Sequence, residues 1–154
     1  MENTRKKPSI TGPLVVAGGE VDSTSVTLRF FGDELDPGDI SRMLGAEPTL
    51  QRRKGEVIPD PTQRVARTGS WLLSSERQSK SSLESQIEHL FARLTDDLEV
   101  WRQLSSKYRG DLFCGLWSES WNRGLELSPA VLQRIAARGL RVGFDIYFVD
   151  EPDR

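Results

Sequence analysis

Arg52, Arg53 and Lys54 stand directly before Gly55, and Arg64 and Arg67 follow shortly before Trp71. Arginine grips carboxylate or phosphate through two parallel N–H donors, and glycine lets the backbone approach an anion closely. The chemistry implied is anion binding in a pocket beside Trp71. Glu56 and Asp60 offset part of the positive charge. The same residues therefore also read as solvated loop charges, in surface pairs that contribute little.

A second set lies on strand-like runs. If residues alternate between two faces, Phe31, Leu72, Phe113, Trp117 and Tyr147 project to one side, beside Arg29 and Arg141. Aromatics interleaved with arginine are favoured anchors in protein interfaces. Some RNA-binding sheets stack bases on similar faces, but no glycine- and aromatic-rich signature of that kind occurs here. Coverage by the loop or by a second copy of the chain is the other reading of this face. A third candidate is Trp117-Ser118-Glu119-Ser120-Trp121-Asn122-Arg123, in which Trp117 and Trp121 either frame a pocket or divide between core and loop.

Catalytic patterns are scarce. His89 is the only histidine and lies off the apolar stripe of its segment, so it is expected to be exposed. The single cysteine, Cys114, sits in an apolar run and reads as a buried thiol rather than a nucleophile. No zinc-type ligand set, phosphate-binding glycine loop or nucleophile elbow is present. Asp33, Glu34, Asp36 and Asp39 cluster near one helix start, where capping and the helix dipole explain them. The expectation is a protein that is not an enzyme and needs no cofactor or metal.

The elements that must carry these residues are legible in outline. Val26–Phe31 alternates as a strand; Gly32-Asp33-Glu34 turns the chain, and Asp36 caps a helix that begins with Pro37 at its first position. Ile40, Met43 and Leu44 form its stripe, and Gly45 suits a left-handed stop. Residues 46–69, broken by Pro48, Gly55, Pro59, Pro61 and Gly69, read as a long irregular loop. Trp71-Leu72-Leu73 is a short buried strand. Leu83, Ile87, Leu90, Phe91 and Leu94 mark a helix, and Leu98, Trp101 and Leu104 either continue it or start another behind Thr95-Asp96-Asp97. Leu112–Trp117 is a further strand. Ser128 then caps a helix with Val131, Leu132, Ile135 and Ala136 as its buried face, and Gly139 ends it. In the last strand Leu140, Val142, Phe144, Ile146 and Phe148 form the core face.

One phrase occurs twice. Leu35-Asp36-Pro37 and Leu127-Ser128-Pro129 each open a capped amphipathic segment after a strand, so that Ile40 matches Leu132 and Arg42 matches Arg134. The expected fold is α+β: a two-layer sandwich of an about four-stranded mixed sheet with helices on one face, in two pseudo-symmetric strand-helix-strand halves.

Composition narrows the class. The chain has 154 residues, a formal net charge of -2, 36% hydrophobic and 29% charged residues. That size suits one domain. The charge argues against a general nucleic-acid binder. No run approaches the about 18 apolar residues that cross a bilayer. Residues 1–20 are expected to be a flexible segment, residues 21–150 the domain, and residues 151–154 a loose acidic tail. The lone thiol fits a reducing, cytoplasmic setting.

Taken together, the chain resembles the bacterial family of domain of unknown function 4279 (DUF4279). The pieces that carry the resemblance are Val26–Phe31, Gly32-Asp33-Glu34-Leu35-Asp36-Pro37, Met43-Leu44-Gly45, Glu47-Pro48, Lys54-Gly55 and Gly69-Ser70-Trp71-Leu72-Leu73-Ser74, then Leu127-Ser128-Pro129, Gly139-Leu140 and Asp145-Ile146-Tyr147. The resemblance implies a small stand-alone bacterial domain and supplies no catalytic residue. The function expected is a non-catalytic module recognising another protein or a second copy of itself, of immunity or adaptor type. The alternative is a small-ligand or anion-binding module using residues 52–67.

Overall fold

The computed structural model describes residues 18–149; residues 1–17 of the expected flexible segment, and the expected acidic tail, lie outside the described residues. The elements run β1 (Ser23–Gly32), α1 (Pro37–Leu44), β2 (Leu50–Arg52), β3 (Gly69–Ser74), β4 (Gln78–Ser79), α2 (Leu83–Ala92), α3 (Leu98–Lys107), β5 (Arg109–Ser118), α4 (Pro129–Ala137) and β6 (Arg141–Phe148). The fold is α+β, with four helices and an open mixed sheet. The sheet order is β2-β3-β1-β5-β6, with β4 paired to the start of β1. It has six strands where about four were expected, because β2 and β4 are too short to show a period of two.

Helix boundaries follow local chemistry. The Asp36 carboxylate accepts from the Gly38 amide at 2.9 Å, and Gly45 closes α1 at φ 75°, donating to the Ser41 carbonyl. Ser82 and Asp97 cap α2 and α3, so the segment left undecided in the sequence is two helices. Ser128 caps α4 through the Val131 amide. Its own amide and hydroxyl donate to Glu84 at 2.7 Å each, which ties the start of α4 to α2.

Alternation then sorts each strand. Val26, Leu28 and Phe30 of β1, Trp71 and Leu73 of β3, and Leu112, Cys114 and Leu116 of β5 all join the core, with Ile40, Ile87, Phe91, Trp101, Leu104 and Ile135 from the helices. Phe30 leans on Trp71 and Trp101 with ring centroids 6.2 and 6.3 Å apart, and Phe91 meets Trp101 edge-on at 6.0 Å. Such pairs add to the burial of their area. Gln86 is buried among these groups with its hydrogen bonds satisfied. Its amide donates to the Thr24 carbonyl and hydroxyl at 3.0 and 2.8 Å, and its oxygen accepts from Ser75.

Four expectations differ from the structure in whole or in part. The interval 46–69 is only partly irregular: it holds β2, Val57 pairs antiparallel with Val65, and the Ile58 amide donates to the Arg64 carbonyl at 2.7 Å. Asp60 makes the turn by accepting from the Thr62 amide, so the prolines mark a hairpin-like arm. On α4, Leu132 and Ala136 are exposed, because Arg138 takes the third place in the buried stripe Val131, Ile135, Arg138. The Arg138 guanidinium lies 4.5 Å from the Phe91 ring centroid and donates to Asp96 and the Arg134 carbonyl. On β6, only Leu140 just before it and Val142 pack against the core; Phe144, Ile146 and Phe148 are exposed. β6 is an edge strand, while the helices contact β1, β3 and β5. Leu98 is exposed too, at the first position of α3.

Candidate functional site

The sheet surface opposite the core is built by the residues between the buried ones. Register places Arg29 beside Asp111, Thr27 beside Phe113 and Ser23 beside Trp117 on neighbouring strands. It also sets Trp117 beside Tyr147 and Asp111 beside Arg141. Phe31, Leu72, Phe113, Trp117, Tyr147, Arg29 and Arg141 therefore share one face, as their alternation predicts.

The Arg29 guanidinium is held fast there. Its Nε and Nη2 donate to the two carboxylate oxygens of Asp111 at 2.7 and 2.9 Å. Its central carbon lies 4.2 Å from the Phe113 ring centroid and 5.4 Å from that of Phe31. A bidentate pair with aromatic walls fixes the plane of the side chain, so little rotamer freedom remains to be lost on binding. A second stack crosses β5 and β6: Trp117 and Tyr147 lie 5.0 Å apart at 16°. Arg77 covers the other side of the indole at 4.2 Å and donates to Ser23 Oγ at 2.7 Å. The Tyr147 hydroxyl donates to Asp145, which raises its pKa above the ordinary 10.0.

Gly115 is, with Asp111 and Arg77, a residue of this face that the sequence reading missed. It lies on the outer face between Phe113 and Trp117, where the indole occupies the space of a side chain. The only sequence signal is a glycine inside a strand, which marks close approach.

The basic loop looks different in place. Arg53 pairs with Asp36 at 2.8 Å, Lys54 with Asp33, and Arg64 with Asp60 at 2.9 Å. Asp33 and Asp36 of the acidic cluster at the start of α1 thus neutralise Lys54 and Arg53 of the loop. The Lys54 ammonium holds the Asp33 carboxyl below its ordinary 3.8, and the Arg53 guanidinium does the same for Asp36. Arg52 and Arg67 make no ion pair among the described residues. A cleft of about 570 Å3 is bordered by Gly38, Ser41, Arg42, Glu47, Arg52, Arg53 and Glu56.

Trp71 is a correction. It was expected to line a pocket beside the basic loop, but it points into the core, fully buried, and its indole N–H donates to Ser41 Oγ at 3.0 Å. The two tryptophans of the turn also part company. Trp117 joins the outer face, and Trp121 is 88% exposed. His89 is exposed, and Cys114 is buried, its thiol pushed up to about 12 by desolvation. Among the described residues no group of three or more His, Cys, Asp or Glu side chains could hold a metal ion, and no helix is long and apolar enough to cross a membrane.

No curated protein and no solved structure matches this chain. The family described as domain of unknown function (DUF4279) matches residues 22–149, the span from just before β1 to the end of β6, and the chain belongs to that family.

Proposed function

We propose that this chain is a non-catalytic binding module that recognises another protein through the outer face of its sheet. The observation that carries the reading is Arg29, locked to Asp111 between Phe113 and Phe31 on an open sheet surface. Arginine and aromatic side chains held rigid before contact are what interface anchors require. Nucleic acid is a poor fit, since Asp111 neutralises the central arginine and the chain is net acidic. One form of this function is an immunity-type or adaptor protein of the bacterial cytoplasm, which predicts a toxin or partner gene beside this one.

The fuller fold reading accompanies this proposal. Two layers and two related halves are supported by α1 and α4. Each starts with a capped proline, ends at a left-handed glycine (Gly45, Gly139) and follows a ten-residue strand. The halves diverge afterwards, since β6 lies directly beside β5 whereas β3 separates β2 from β1.

Affinity purification with mass spectrometry, comparing the native chain with Phe113→Ser and Arg77→Glu variants, tests the reading. A partner captured by the native chain and lost with the face variants supports it. No reproducible partner, or one retained by every face variant, removes it.

The second reading, an anion-binding module on residues 52–67, is supported by the cleft bordered by Arg42, Arg52 and Arg53. The pairs Arg53–Asp36 and Lys54–Asp33 weaken it, because the cations already have carboxylates. It requires a rise in melting temperature with a phosphate- or carboxylate-bearing metabolite, abolished by Arg52→Ala. A flat response across such a panel eliminates it.

A further inference from the structure

Strand β6 is an edge without the usual protection. Among the described residues it pairs on one side only, with β5, leaving the backbone groups of its other side open over Arg141–Phe148. Protected edges are short, bulged, or carry proline or charged side chains, lysine above all. β6 has eight residues and no lysine or proline, and its two charges, Arg141 and Asp145, are of opposite sign. On the face it shares with Cys114 and Leu116 it carries Phe144, Ile146 and Phe148, which are 45%, 60% and 66% exposed. A strand of this kind is a template for another strand.

We propose that β6 is a self-association edge, pairing antiparallel with β6 of a second copy about a twofold axis normal to the sheet. The charges on the strand select this occupant. A twofold contact sets each residue of one copy against its counterpart reciprocally, so the strand must complement itself. Its two charges are Arg141 and Asp145, which are opposite in sign and four residues apart on the outer face. With the axis at Gly143, Arg141 of each copy stands directly across from Asp145 of the other, and Val142 meets Phe144. With the axis at Phe144, the same charges are diagonal neighbours, within reach of an arginine, and Val142 meets Ile146. An axis at Asp145 is excluded, because it would set the two aspartates against each other. In both permitted registers the exposed apolar stripe of each copy gains cross-strand neighbours, and two six-stranded sheets become one.

This inference concerns the strand's edge and is independent of the partner proposed for the outer face. Sedimentation velocity on the full chain, from low micromolar to several hundred micromolar, tests it. The expected result is a monomer–dimer equilibrium. Arg141→Asp and Asp145→Arg should each weaken the dimer by about tenfold or more, and the double exchange should restore most of the loss. Ile146→Asp should leave a folded monomer by far-ultraviolet circular dichroism, since the position is exposed, and Trp121→Ala should change nothing. A monomer at every concentration overturns the proposal, as does a dimer indifferent to Ile146→Asp. Stronger dimerisation after removal of residues 1–17 would give the edge to that segment of the same chain and overturn it as well.

Discussion

Trp117 occupies the space where Gly115 has no side chain. A β-carbon on that glycine would stand 2.6 Å from Cη2 of the indole and 2.9 Å from Ser25 Oγ. Gly115→Ala is therefore expected to displace the indole and break its stack on Tyr147, at a cost of about 1–3 kcal/mol from overpacking. Near-ultraviolet circular dichroism would report the lost stack, and the urea midpoint the lost stability. Unchanged spectra would mean that the backbone at residue 115 gives way and the tryptophan does not.

The Arg29–Asp111 pair gives a prediction of opposite character. The Asp111 side chain is 7% exposed and that of Arg29 25%. Asp111→Ala leaves a guanidinium held among aromatic rings without its counter-charge. The expected loss is about 2 kcal/mol, less than for a fully buried pair because Arg29 retains some water. The double variant Arg29→Met, Asp111→Ala removes the orphaned charge and should recover at least half of that loss. A double variant as unstable as the sum of the single ones would show that the two residues do not act together.

Much of this was legible beforehand, and the reason lies in period. Val26, Leu28 and Phe30 alternate so strictly that their face and its opposite follow from the sequence, and with them the company of Arg29, Phe31, Phe113 and Trp117. Asp36-Pro37 and Ser128-Pro129 announced two helices through cap chemistry alone. What escaped was information held by neighbours in space. Alternation in Phe144, Ile146 and Phe148 records only that one side of β6 is apolar; whether anything lies over it depends on where the helices pack. Arg138 was absent from the expected core because a guanidinium buried over Phe91 has no linear signature. The basic loop read both as an anion site and as charges in surface pairs, since the partner of Arg53, Asp36, lies beyond a turn, a helix and a strand.

Those loop pairs predict an acid transition. Hydrogen bonds from Lys54 and Arg53 lower the pKa of Asp33 and Asp36 in the folded state. The folded form thus binds fewer protons than the unfolded one near the ordinary value of 3.8. The stabilisation from these pairs is fully present above that value and disappears as pH falls through the lowered folded values. Amide exchange at Gly55 and Ala66, which bridge the arm, is expected to lose protection as pH falls below the ordinary carboxyl value of 3.8, while the core strands keep theirs. In Asp33→Asn, Asp36→Asn the arm should be open throughout, with the α1 cap retained by asparagine. Equal pH dependence in both proteins would disconnect the arm from these carboxylates.

Cys114 should be chemically silent. It is wholly buried between β1 and β6, and desolvation raises its thiol from 9.0 to about 12. Thiolate is the reactive form, so iodoacetamide at about pH 8 should label the native protein negligibly and the urea-unfolded protein fully. Labelling of the folded protein at the rate of free cysteine would mean that β5 opens locally.

Arg29 and Asp111, hydrogen-bonded at the centre of the sheet, are 82 residues apart in the chain. During synthesis at about 5–20 residues per second, β1 leaves the ribosome on the order of 4–16 seconds before the strand that completes its central pairing. For that interval Val26, Leu28 and Phe30 can be covered only by what is made first: α1, β3, α2 and then α3. The order of the strands thus sets a timetable for the nascent chain, in which β6 can dock only after β5 has arrived.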